Sequence, residues 1–202
     1  FSAKQYTTWK DDVARVGLLN MSITYDFFKA MFGRDGWNRR GANHYMFLHY
    51  GYKYNNAFWN GRYFAFGDCD GNILHKTSLD QKVVGHEFSH AAVQADSGLV
   101  YSTDSGALNE SYADIMGVGT DWFRSKKTIT ANTWKIGFVT YTPKVAGDAL
   151  RYMDNPTKDK SSKDYYPERY IGSGDHGGVH WNSGIGNLAF KLLVTGGKTP
   201  KS

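Results

Sequence analysis

The chain has 202 residues, with 24 Lys and Arg against 19 Asp and Glu for a net charge of +5, and a hydrophobic content of 41%. That is enough for a sizeable core in one or two lobes, while no run approaches the roughly 18 apolar residues of a membrane-spanning helix. The basic surplus does not mark a nucleic-acid binder either, because the lysines are scattered or mixed with acids, as in Lys158-Asp159-Lys160-Ser161-Ser162-Lys163-Asp164, and a solvated face accounts for such a run.

In chain order, apolar positions spaced for one buried face predict a helix over residues 16–32, ended by the turn Gly33-Arg34-Asp35-Gly36. Short strands are expected from there to about Leu74. The alternation in Asn43-His44-Tyr45-Met46-Phe47-Leu48-His49-Tyr50 reads as strand packing, with His44 and His49 structural rather than metal ligands. Asn56 and Ala57 fall in an extended segment suited to pairing with a peptide as an added strand. Cys69, the one cysteine, excludes an internal disulfide and sits in a Gly-Asp-Cys-Asp-Gly turn without the surroundings of a reactive thiolate. A helix over 80–95 follows, then a break at Gln94-Ala95-Asp96-Ser97-Gly98, a second helix over 107–124, a mostly irregular stretch over 128–171 suited to a substrate-binding rim, and a third helix over 179–194. No internal repeat or low-complexity linker appears. The organisation is α+β: a helix and strand-rich part over 1–79, and a metal-binding helical part over 80–202.

The chemistry lies in His86-Glu87-Phe88-Ser89-His90. Positions four apart on a helix lie one above the other, so His86 and His90 can share one ion, while Glu87 points about 100° away and can take a proton from water without being a ligand. Twenty residues later, after enough chain for a reversal, Glu110 can complete a His₂Glu zinc site with an open fourth position. Asp114 shares the helix face of Glu110 and fits a role holding the His86 ring in its coordinating tautomer.

These residues, with Val83-Val84-Gly85 before them, Gly98-Leu99-Val100-Tyr101, the run from Ser105 to Gly117, and Asp175-His176-Gly177-Gly178-Val179-His180-Trp181-Asn182-Ser183-Gly184, resemble the thermolysin-like neutral metalloproteases. Tyr54-Asn55-Asn56-Ala57-Phe58-Trp59-Asn60-Gly61, Phe66-Gly67-Asp68-Cys69-Asp70-Gly71, Tyr141-Thr142-Pro143 and Gly147-Asp148-Ala149-Leu150-Arg151 extend the likeness over nearly the whole chain. It implies a zincin-type fold and a secreted, zinc-dependent endopeptidase acting on peptides or proteins. Glu87 would be the base; His180, oriented by Asp175, and Tyr101 would donate to the oxyanion; Asn109 would support the ligands beside Asp114. Asn56, Ala57, Trp59 and Arg151 would bind the peptide, and Leu74, Val83, Ile136 and Leu150 would form an apolar pocket favouring Leu, Phe or similar residues on the leaving-group side.

Calcium is where the chain departs from the family. Asp121 is kept, but Lys82, Thr133, Lys135 and Phe138 stand where acidic ligands are usual, so the double calcium site is expected to be lost, with Lys82 or Lys135 paired to Asp121 instead. Tyr141, Thr142, Val145 and Asp148 match a separate calcium loop that could hold one ion. Relative to the usual mature enzyme the chain reads as shortened at both ends, as a short relative or as a piece that self-cleavage before Phe1 could produce. Two other readings compete: a non-catalytic or degraded zinc-binding fragment, and a gluzincin aminopeptidase, for which no carboxylate motif to hold a free amine is evident.

Overall fold

A computed structural model describes residues 9–200. Its first helix, α1 (Asp12–Phe32), starts four residues before the predicted position because Asp11 caps it, its carboxylate accepting from the backbone N–H of Val13 and Ala14; Gly33 closes it in the left-handed conformation at φ 63°. α1 lays Met21, Phe27 and Phe28 against Phe64, Phe66, Val84, Phe88, Ala91 and Ala92, a core that draws on the strands and on the second helix alike. Each fully buried aromatic ring of this kind contributes roughly 1.5–3 kcal/mol by leaving water.

Three very short strands follow: β1 (Met46–Phe47), β2 (Ala57–Trp59) and β3 (Phe64–Phe66). Their order is β1-β3-β2, with β1 parallel and β2 antiparallel to β3, so β2 lies at an edge. The alternation over 43–50 yields only two strand residues. Met46 and Leu48 pack toward the core, whereas Tyr45 and Phe47 are exposed and the Phe47 ring lies tilted against Tyr63, with centroids 4.5 Å apart. His44 packs beside Phe88, and His49 lies between Asp11 and Asp68. Cys69 is buried and unpaired, and burial raises its thiol to about 11, far from a nucleophilic thiolate.

α2 (Gln81–Asp96) and α3 (Thr103–Arg124) form the centre of the molecule. They approach closely because glycines face the contact. A Cβ on Gly117 would lie 2.5 Å from the Lys82 carbonyl oxygen, and one on Gly85 would lie 2.5 Å from Thr120 Oγ1. α3 begins four residues earlier than predicted. Gly106, just outside the predicted helix, is a helical contact residue whose added Cβ would meet Val179 at 2.4 Å. β4 (Lys135–Ile136) and β5 (Arg151–Tyr152) pair antiparallel within the stretch predicted to be irregular. Trp134, Ile136 and Met153 there build a second core with Val118.

α4 (Asp175–Thr195) packs along α3. Its first residues are not regular helix: Asp175, His176, Gly177 and Gly178 all have φ between 51° and 87°, and regular geometry starts at Val179, as predicted. No helix among the described residues is long and apolar enough to cross a membrane.

Candidate metal centre

The close crossing of α2 and α3 brings His86, His90 and Glu110 together, one ligating atom from each lying within 4.8 Å of the others. His86 Nδ1 donates to Asp114 Oδ1 at 2.8 Å and His90 Nδ1 donates to Asn109 Oδ1 at 2.7 Å. With both protons spent outward, the two Nε2 lone pairs face each other across 2.9 Å. Glu110 approaches them at 3.3 and 3.4 Å. Its side chain is fully buried, and Oε2 has no hydrogen-bond partner among the described residues.

An orphaned buried carboxylate oxygen beside two imidazole lone pairs is a donor set that favours a cation, and a borderline metal with N and O preferences fits it. The charge balance agrees. Burial works against a charged His86, yet Glu110 and Asp114 outweigh it and raise the ring to about 10. Burial also opposes ionisation of Glu110, but the imidazoles hold its carboxyl well below the usual range. The surroundings therefore select positive charge at this point.

Asp114 is held from three sides: by His86, by Arg151 through Nε at 2.8 Å and Nη2 at 2.6 Å, and by Asn187 Nδ2 at 2.8 Å. Burial raises its pKa, but Arg151 and His86 more than reverse that and keep it ionised. The guanidinium predicted to meet a substrate thus gives two donors to Asp114, and only Nη1 stays uncommitted among the described residues. Glu87 is buried beside the triad, and burial is the main cause raising its carboxyl above the ordinary value.

Opposite the triad, His180 Nδ1 donates to Asp175 Oδ1 at 2.6 Å, and the His180 backbone N–H donates to the other oxygen at 2.7 Å. Its Nε2 is thereby aimed inward, 3.3 Å from both Tyr101 Oη and Glu110 Oε1. The Tyr101 hydroxyl donates to Glu110 Oε1, and burial with that carboxylate raises its pKa far above normal.

These groups line one cleft of about 710 Å³. Val83, Leu74, Ile136 and Leu150 form an apolar end, and Asn56, Ala57 and Trp59 of the edge-strand segment form a wall. The Trp59 indole donates to Gln94 Oε1 at 2.6 Å. Sequence reasoning assigned no role to Gln94, Asn187 or His176. Gln94 was read as the start of the break after the helix but lies within α2, four residues after His90; His176 stood unremarked inside a quoted motif, and Asn187 had no local signal.

Outside the cleft, Lys82 is 5% exposed and donates from Nζ to the carbonyls of Asn132 and Lys135, with Asp121 at 3.6 Å. Of the two lysines, Lys82 makes the pair with Asp121, while Lys135 reaches Asn132 Oδ1 and the Gly147 carbonyl. In the other loop, both Asp148 oxygens accept internal hydrogen bonds: Oδ2 from Thr142 at 2.7 Å, and Oδ1 from Tyr152 at 2.6 Å and from the Ala149 N–H. The neighbours Tyr141 and Val145 carry this turn through backbone bonds.

Comparison with known proteins matches residues 2–94 to the catalytic domain and residues 97–201 to the alpha-helical domain of the thermolysin metallopeptidases. Bacillolysin of Bacillus cereus is 46% identical over 174 residues, covering 86% of this chain and 30% of that protein. The thermostable neutral protease NprT of Geobacillus stearothermophilus is 42% identical over 193 residues, 96% of this chain and 34% of that one. Among solved structures, the precursor of protealysin, a metalloproteinase from Serratia proteamaculans, superposes with a TM-score of 0.84 at 34% identity, over 92% of this chain and 60% of that chain. The chain thus spans about a third of the length of these curated relatives.

Proposed function

The chain belongs to the thermolysin metallopeptidase family, and from that premise we propose that it is a zinc-dependent endopeptidase favouring a hydrophobic residue on the leaving-group side. The observation that carries this reading is the fully buried Glu110 with an unpartnered Oε2 facing the Nε2 atoms of His86 and His90. His86, His90 and Glu110 would hold the ion, with Asp114 and Asn109 fixing the imidazole tautomers. Bound there, zinc supplies Lewis acidity, polarising a carbonyl and lowering the pKa of a water to about 7.

The chain's own residues do the rest. Glu87, its carboxyl raised by burial, takes the proton of the attacking water and passes it to the departing amine. His180 Nε2, aimed by Asp175, donates to the oxyanion as charge grows there, and Tyr101 does the same once its hydroxyl leaves Glu110. The free edge of β2, with Asn56 before it and Trp59 at its end, pairs with an extended peptide. Arg151 Nη1 is left to orient a substrate carbonyl, and the apolar end at Val83 and Leu150 takes the preferred side chain, with broad specificity because a methylene is worth only about 1–3 kcal/mol. Secretion, and one calcium ion in the loop of Tyr141, Thr142, Val145 and Asp148, belong to the same proposal.

The test is hydrolysis of a peptide blocked at both ends with Leu after the scissile bond, before and after chelation and zinc add-back. Cleavage lost on chelation and regained with zinc is expected. A chain that binds zinc stoichiometrically yet never cuts would instead be the non-catalytic fragment, and cleavage restricted to free amino termini would make it an aminopeptidase.

A further inference from the structure

One imidazole in the cleft has no part in the chemistry above. His176 is exposed, lines the cleft and sits with its ring centroid 5.6 Å from that of Tyr101 at 64°. Neither of its ring nitrogens has a hydrogen-bond partner among the described residues. Its position is imposed: Asp175 and His176 are both left-handed, at φ 52° and 51°, a conformation that costs a non-glycine residue on the order of 1 kcal/mol or more. The turn is braced by Ser102 Oγ donating to the His176 carbonyl at 3.2 Å and by Thr103 pressed against Gly177. Backbone strain that holds an unpaired polar ring in a cleft is how binding groups are preset.

The charges around it set the ligand. Three carboxylates line the cleft, and all are withdrawn: Glu87 and Glu110 are buried, and Asp175 gives both oxygens to His180. Asp104, in the adjoining first turn of α3, is engaged by Tyr166 and Arg169. The groups still able to donate from this rim are His176 and His180, and Gln94 beyond them is neutral. Tyr101 neighbours His90, whose ring lies 5.9 Å away, and His90 is seven residues along α2 from Val83, about 10 Å from the apolar end. The run of ring contacts from His90 through Tyr101 to His176 leads away from the apolar end, and under the endopeptidase reading we take that end of the cleft as the acyl side.

We propose that His176 is a specificity-determining residue that favours a peptide carrying an acidic side chain on the acyl side of the scissile bond, an inference that rests on the endopeptidase reading. Either tautomer of the ring offers one N–H, and a carboxylate is the stronger acceptor for it than an amide.

Binding tests this without turnover. The zinc-loaded Glu87→Gln chain would be titrated with peptides blocked at both ends, carrying Glu or Gln at each of the two positions before the bond and Leu after it. The Glu peptide should bind about five-fold tighter at one position, the size of a partly solvated charge-assisted hydrogen bond. Adding His176→Gly, which suits φ 51°, or His176→Asn, which tolerates it, should abolish the preference while moving the Gln peptide less than about two-fold. Equal binding of Glu and Gln peptides, a preference that survives both substitutions, or equal weakening of both peptides would overturn the inference and leave the endopeptidase reading standing. Binding of neither peptide would overturn that reading and the inference with it.

Discussion

Glu110 and Asp121 lie on the same helix, about 16 Å apart, and each faces acceptors that need a positive charge. Around Glu110 the facing residues of α2 are His86 and His90, whose lone pairs converge on one point. Around Asp121 the facing residue is Lys82, whose ammonium satisfies the Asn132 and Lys135 carbonyls from within the chain. A tethered ammonium cannot leave, and it presents no open coordination position. A coordinated ion can be lost, but it keeps a corner free for chemistry. The same pair of helices thus offers a place for a replaceable cation at Glu110 and holds a tethered one at Asp121.

Removing the replaceable charge should have the largest effect. Chelation should take peptide hydrolysis to background and zinc should restore it. With zinc at about a thousand times its dissociation constant, the folded state should gain about 4 kcal/mol, read as a rise in melting temperature. Zinc that restored activity without any change in melting would contradict the fit of the site to the folded chain. Glu87→Gln separates chemistry from cohesion: zinc stoichiometry and melting should match the parent, while the rate falls by about 10²–10⁴-fold for loss of the general base. Activity within two-fold of the parent would remove Glu87 from the mechanism.

The fixed charge comes next in size. Lys82→Met leaves two carbonyls without their buried donor and the half-buried Asp121 without its cation, so urea unfolding should show a loss of about 2 kcal/mol, with peptide hydrolysis at low temperature little changed. Lys82→Glu should exchange one cation source for the other. Millimolar calcium should raise its melting temperature by more than it raises the parent's, because oxygen donors then surround the gap. An identical calcium response in parent and Lys82→Glu would show that the cage does not accept an ion.

How much of this was legible follows from where each signal lives. His86, Glu87 and His90 share one helical repeat, so spacing offered a metal pair and a base that Glu110 and the wider resemblance then made specific, and the lysines opposite Asp121 stood out as charges where the family has acids. What stayed hidden depended on long-range packing. The start of α3 was misjudged because Thr103-Asp104-Ser105-Gly106 has turn chemistry, while Gly106 is demanded by contact with Val179, some 70 residues away. The strand expected over 43–50 shortened because only Met46 and Phe47 find a partner on β3. That Arg151 gives two of its donors to Asp114 was not legible, because it depends on the burial of a carboxylate that Arg151 and His86 together keep ionised. The pairing of β4 with β5 lacked any periodic signal, since two-residue strands are too short to show one.

A third cation, borrowed from solvent, lets the comparison be tuned by pH. His49 sits between two carboxylates, Nδ1 at 2.6 Å from Asp68 and Nε2 at 2.8 Å from Asp11. Carboxylates only accept, so holding both contacts needs both ring protons. Hydrogen bonds donated to Asp68 and then to Asp11 raise the His49 pKa above its ordinary value of 6.5, against a smaller cost of burial. A raised folded-state pKa means that the stabilisation is fully present below about pH 6.5 and is lost as pH climbs through the folded value. The ring is 45% exposed, and solvent screening limits the effect to about 0.5 kcal/mol. The stability difference between the parent and His49→Gln, measured by urea unfolding in steps from pH 6 upward, should shrink toward zero as the pH rises. A difference that holds constant or grows with pH would mean that the ring acts by packing, leaving Lys82 and the metal as the cation sources that matter for cohesion.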